Sequence, residues 1–176
     1  MSSYNFSKTK RLTKISLLIA AAFILSWIEF TVNIPMVIPG IKLGLANIVI
    51  LFTLCTCSKS DALYVLVGRL LLNALLFGNI SSLLYSACGG LLSFAVMCSA
   101  MKFLRLKATP LSILGGISHN IGQLLVACFM MKTSAVWVYL PYLIIGGTLA
   151  GTLNGMTVKK ITILNNNKND TLPHLH

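Results

Sequence analysis

Acidic side chains are almost missing from this chain. Of 176 residues only three are Asp or Glu. They are Glu29, Asp61 and Asp170, too few and too scattered to build the carboxylate cluster that a magnesium-dependent prenyl-transfer or phosphatase site needs. No phosphate-cradling Gly-x-x-x-x-Gly-Lys string occurs, so any energy from ATP must come through a partner. His119 has no spaced nucleophile and acid to complete a catalytic triad. The five cysteines (Cys55, Cys57, Cys88, Cys98, Cys128) include one Cys-x-Cys pair, with no second pair and no His or Asp at metal-ligand spacing. They read as small apolar packing residues, not as a disulfide framework. Enzyme chemistry, a bound metal and a resident cofactor all lack a signature.

Apolar sequence is what the chain has instead. It is 56% hydrophobic and 10% charged, with mean hydropathy +0.86. Apolar stretches cover residues 12–30, 43–57, 62–77, 80–101, 110–131 and 135–157. About 18 or more such residues cross a bilayer as a helix, and shorter runs do so inside a packed bundle. Backbone amides in lipid must be paired internally, so the spans are helical. The expectation is an all-α, polytopic membrane protein: a bundle of six transmembrane helices forming one domain over residues 1–163. A polar, disordered tail follows at 164–176. The first stretch is longer than a signal-peptide core and carries no Ala-x-Ala exit, so it reads as a retained helix.

The net charge of +11 follows the same plan. With the amino terminus inside, Lys8, Lys10, Arg11, Lys14, Lys59, Lys102, Arg105, Lys107, Lys159, Lys160 and Lys168 fall on the cytoplasmic side, against Lys42 and Lys132 outside. This asymmetry predicts a cell-membrane protein with both termini in the cytoplasm. Cations beside spans meet anionic lipid headgroups, and nucleic acid is not an expected partner.

The remaining signals lie between and within the spans. The first outer joint, Thr31 to Gly40, is apolar and holds Pro35, Pro39 and Gly40, so neither neighbouring helix runs through it. It reads either as a lid over an outward-facing cavity or as a re-entrant packing element. Ser58-Lys59-Ser60-Asp61 makes an inside turn, with Ser60 or Asp61 as the cap of the third helix. Gly78-Asn79 turns outside. Small residues four apart occur in the first helix (Ser16/Ala20, Ala22/Ser26) and the sixth (Gly147/Gly151/Gly155). Such stripes admit close helix approach, either within the bundle or to a separate membrane protein.

Polar groups at membrane depth are the candidate site. Arg69 lies about 12 Å into the third helix at 1.5 Å per residue. A charge there costs at least about 2.5 kcal/mol unless it finds water or a partner. Asn73 follows one turn on. Ser118-His119-Asn120-Ile121-Gly122-Gln123 gives the fifth helix a polar face. Glu29, Lys42 and Asn47 lie toward the same outer half, as do Tyr139 and Tyr142. Two readings stay open: a buried network with Arg69 neutralised by Glu29, or a solute cavity lined by Arg69, Asn73, His119, Asn120, Gln123, Lys42 and Asn47. Arg69 would grip a carboxylate or phosphate with its fork of donors.

Together with the basic start and the small-residue first helix, three strings carry a family resemblance. They are Ile38-Pro39-Gly40-Ile41-Lys42-Leu43-Gly44-Leu45-Ala46-Asn47, Gly68-Arg69, and Gly115-Gly116-Ile117-Ser118-His119-Asn120-Ile121-Gly122-Gln123. Over residues 10–160 the chain resembles the Gx transporter family, also called heptaprenyl diphosphate synthase component I. More distantly it is similar to the substrate-capture (S) components of energy-coupling factor vitamin transporters. That resemblance implies six helices that bind a small solute from outside, here one of anionic, vitamin-like or isoprenoid-like character. It also implies docking through small residues of the first helix onto a transmembrane coupling protein driven by ATPases. The family's Ala-x-x-x-Ala motif finds its nearest matches in Ser16/Ala20 and Ala22/Ser26. The synthase name implies the alternative: a membrane accessory subunit of a heptaprenyl diphosphate synthase, itself without catalytic motifs.

Overall fold

The computed structural model describes residues 2–32, 44–77 and 80–170. Among them are six α-helices and no strand: α1 (Ser2–Val32), α2 (Asn47–Thr56), α3 (Lys59–Phe77), α4 (Ile80–Phe103), α5 (Ala108–Met131) and α6 (Leu140–Asp170), with a 3₁₀ turn at Ala135–Tyr139 before α6. The expected six helices are present. Four segments are long and apolar enough to cross a membrane: Lys8–Glu29, Ile80–Phe103, Ala108–Met131 and Ala135–Leu164. They suggest a multi-pass membrane protein. Of the joint Thr31 to Gly40, read as a lid or a re-entrant element, Thr31 and Val32 end α1, and the rest lies outside the described residues, as do Lys42 and the Gly78-Asn79 turn. α6 runs on past Ile163 to Asp170.

α2 departs from the sequence expectation of a span over 43–57. It has ten residues, about 15 Å at the helical rise and half the hydrocarbon thickness. Its apolar surface faces protein instead. Val49, Ile50, Leu51, Thr53 and Leu54 are all buried, and Val49, Ile50, Leu51 and Leu54 join Leu66 of α3, Met97 of α4, Leu111 of α5 and Val158 of α6 in the main core. The helices around it keep their outer faces apolar: Leu17, Ile24 and Trp27 on α1, and Leu149, Leu153 and Met156 on α6, are exposed. That pattern suits lipid contact.

Glycine sets how closely the last three helices pack. A Cβ on Gly151 would lie 2.7 Å from Ile113 Cα, and one on Gly155 would lie 2.6 Å from Thr109 Cα. Gly116 and Gly147 face each other backbone to backbone. The α6 stripe is therefore spent inside the bundle, against α5. On the opposite side of α5, Gly122 meets Cys88 and Gly89 of α4, and Ser93 Oγ donates to Gly115 O at 2.8 Å.

The α2–α3 joint corrects the expected cap. Ser58, not Ser60 or Asp61, caps α3: the Asp61 N–H donates to Ser58 Oγ at 3.1 Å, and the Ser58 N–H donates back to Asp61 Oδ2 at 3.3 Å. This reciprocal box satisfies two amides that the helix leaves unpaired. Arg11 of α1 donates through Nε (2.9 Å) and Nη2 (2.6 Å) to Asp61 Oδ1, tying α1 to the joint. Burial opposes the Asp61 charge, but Arg11 and Ser58 outweigh it and hold the carboxyl below its usual range. A depressed carboxyl pKa stabilises the fold above the unfolded-state value, about 3.9, and that contribution disappears as pH falls through the lower folded value. Asp61→Asn should therefore flatten the acid limb of the stability–pH curve, read by thermal unfolding in micelles. An acid limb unchanged in the variant would remove Asp61 from this role.

Candidate functional site

Four helices bring polar groups to one buried region, and a fifth runs between them. α3 supplies Arg69 and, one turn on, Asn73; Arg69 is 3% exposed. α5 supplies His119 and Gln123 on one face, 2% and 0% exposed. α1 supplies Glu29, whose Oε1 accepts the Gly44 N–H at 2.6 Å. Gly44 leads into α2 with φ +78, a left-handed conformation that disfavours any side chain. A Cβ there would also meet Asn47 Nδ2 at 2.9 Å and the His119 ring at 3.4 Å. Glu29, Gly44, Asn47 and His119 thus form one chain of neighbours across α1, α2 and α5.

α4 is the partition, and its pair Gly89-Gly90 is the feature that sequence reasoning missed. Gly89 faces α5: a Cβ would lie 2.9 Å from both Cε1 and the carbonyl O of His119 and 3.0 Å from Gln123 Cγ. Gly90 faces α3: a Cβ would lie 3.2 Å from Arg69 Nη2. The guanidinium and the imidazole therefore each lie against bare backbone of α4. The available signal was two adjacent glycines in mid-span, where a helix has no need of them.

The polar contacts inside the cluster are specific. His119 Nε2 and Gln123 Nε2 are 3.1 Å apart. An amide nitrogen only donates, so the ring nitrogen accepts in this contact. Glu29 lies near enough to act on Arg69 as a counter-charge. Even so, Arg69 Nε and Nη2 and Asn73 Oδ1 are buried without any hydrogen-bond partner. The rule that buried polar groups are bonded is broken here at two residues one turn apart.

Other expected site residues go elsewhere. Asn120 points away from this cluster, donating through Nδ2 to Leu143 O on α6 at 2.8 Å. At 100° per residue its side chain leaves α5 about a quarter-turn from that of His119. Asn120→Leu should cost about 1 kcal/mol of stability and leave solute binding unchanged; paired unfolding and binding measurements check this. Tyr139 packs beside Tyr85 and Leu124, and Tyr142 is exposed. The first-helix residues split. Ser16 and Ala20 are exposed on the outer face of α1. Ala22 and Ser26 are buried inside the bundle. No group of three or more His, Cys, Asp or Glu residues is placed to hold a metal among the described residues.

The sequence model of heptaprenyl diphosphate synthase component I matches residues 18–161. The chain belongs to that family. The component I match, which is also the Gx transporter match, takes in α2 to α5 whole and nearly all the site residues. No curated protein and no solved structure matches the chain.

Proposed function

We propose that this component I family member is the membrane-embedded substrate-capture subunit of a transporter. One observation carries the reading: a buried arginine with unspent donors, beside a buried amide with an unspent acceptor. Groups left this way in a low-dielectric interior destabilise the solute-free protein. They are retained where a ligand completes them. Arg69, Asn73, His119 and Gln123 form the receiving surface, with Asn47 beside it; Lys42, outside the described residues, is a further candidate from the sequence. The solute enters from outside, and both termini lie in the cytoplasm, in keeping with the cation asymmetry of the joints. Uptake draws on a separate ATP-hydrolysing module, because the sequence has no nucleotide-binding signature. The exposed pair Ser16 and Ala20 is the proposed contact with the coupling membrane protein.

The chain itself does no chemistry in this scheme. Its few carboxylates give it no means to hold a metal–diphosphate substrate. The family's name favours a second reading, in which the chain assists a heptaprenyl diphosphate synthase as a non-catalytic membrane subunit.

Mild purification followed by mass spectrometry of retained small molecules separates the two. Stoichiometric retention by the wild type and its loss in Arg69→Met supports capture. Stimulation of a soluble prenyl synthase by a chain that retains nothing would transfer support to the accessory reading.

A further inference from the structure

With the capture reading as the basis, the unpaired atoms also specify the chemistry of the group received. The two unpaired Arg69 nitrogens, Nε and Nη2, form one edge of the guanidinium. The same edge is used elsewhere in this chain: Arg11 Nε (2.9 Å) and Nη2 (2.6 Å) both donate to a single carboxylate oxygen, Asp61 Oδ1. The molecule thus contains a filled and an empty copy of one fork. The filled copy lies at the α2–α3 joint, and the empty one is buried on α3. Glu29 does not fill it. Its Oε1 meets the Gly44 amide, and it acts on Arg69 as a neighbouring charge. One turn along the same face, Asn73 presents an acceptor oxygen that is also buried and unpartnered.

Charge limits what this edge accepts. In the cluster the described ionic side chains are Arg69 and Glu29, one of each sign. A single incoming negative charge meets Arg69 directly while Glu29 keeps its backbone donor. A diphosphate brings several negative charges into the same buried cluster, and each unpaired buried charge carries a desolvation penalty. Arg69 and Glu29 already sum to zero, so every incoming negative charge is an excess, and a monoanion carries the least of it. The planar fork suits two oxygens in one plane, and the Asn73 oxygen asks for a hydrogen-bond donor close to them.

We infer that Arg69 and Asn73 receive a singly charged carboxylate whose adjacent carbon bears a hydroxyl, amine or amide N–H. The carboxylate oxygens take the Arg69 edge, and the neighbouring donor takes Asn73 Oδ1.

The test uses the full chain in lipid nanodiscs and headgroup-sized probes at matched ionic strength: glycolate, acetate, inorganic phosphate and inorganic diphosphate. The readout is the shift in unfolding midpoint with probe concentration. Glycolate should stabilise more than acetate, and both more than either phosphate. Arg69→Lys, which keeps the charge but loses the fork, should weaken the carboxylate response about tenfold. Asn73→Leu should erase the advantage of glycolate over acetate. Arg69→Met replaces the lysine variant should that one fail to fold. A stronger, Arg69-dependent response to diphosphate or phosphate overturns the carboxylate assignment and leaves anion capture standing. An Arg69→Lys response equal to wild type, or no response to any probe, overturns the assignment and removes the Arg69 support for capture as well.

Discussion

Arg69→Met should abolish solute retention while leaving the solute-free protein at least as stable; replacing a whole buried ion pair by apolar groups gains about 1–4 kcal/mol, and the single change gains less. The side chain is 3% exposed and leaves Nε and Nη2 unbonded. Met is flexible and carries no strongly polar atom, so it follows the aliphatic part of the Arg69 path without the desolvation cost, stopping short of the Nη2 position beside Gly90. One loss acts against the gain: Glu29 forfeits its nearby counter-charge. That loss is softened because Glu29 still accepts the Gly44 amide at 2.6 Å. Arg69→Met/Glu29→Gln should therefore exceed the single variant in stability. Unfolding midpoints in nanodiscs, with mass spectrometry of retained molecules, give both halves of the result. A drop of about 3 kcal/mol or more in Arg69→Met is the signature of breaking a structural buried ion pair, and would end the reading of Arg69 as a ligand-seeking group. Stability gained by removing a residue, together with function lost, marks a group kept for what it binds.

The apolar helices were legible because hydropathy reports the solvent around a long segment. α4 and α5, at 24 residues each, leave little freedom. α2 was not legible in the same way. A short apolar run reads alike whether lipid or protein surrounds it, and burial of Ile50, Leu51 and Leu54 among the other helices depends on the rest of the fold. Burial of Arg69, Asn73, His119 and Gln123 was legible because a polar group at membrane depth is costly when it faces lipid. Asn120 carried the same signal and faces α6, since periodicity over two turns does not say which neighbour each face meets. Ser16/Ala20 and Ala22/Ser26 share one spacing, yet only the second pair lies inside the bundle. Spacing alone does not distinguish two stripes on one helix. Glycines 89 and 90 gave no polar signal at all; their role is the absence of atoms, visible only once α3 and α5 are placed on either side.

That absence supports the largest destabilisation expected here. Gly89→Val should cost about 3 kcal/mol or more and remove solute binding. The first added carbon would lie 2.9 Å from His119 O, a backbone atom, and a branched side chain adds two more methyl groups. α4 cannot simply move aside. Gly122 already sits with its own Cβ position 2.8 Å from Cys88 O and Gly89 Cα, and Ser93 is bonded to Gly115 a turn further down. Relief must come from separating α4 and α5, which breaks their packing, or from expelling His119 and Gln123 from their face. Gly146→Ala is the matched control. Nothing lies within 4 Å of a Cβ there, so the same kind of change should be neutral, or stabilising by up to about 1 kcal/mol through helix propensity. Unfolding midpoints of the two variants in one detergent provide the comparison. A Gly89→Val protein as stable as Gly146→Ala, with solute retained, would mean that α4 and α5 do not approach closely enough to define a site between them.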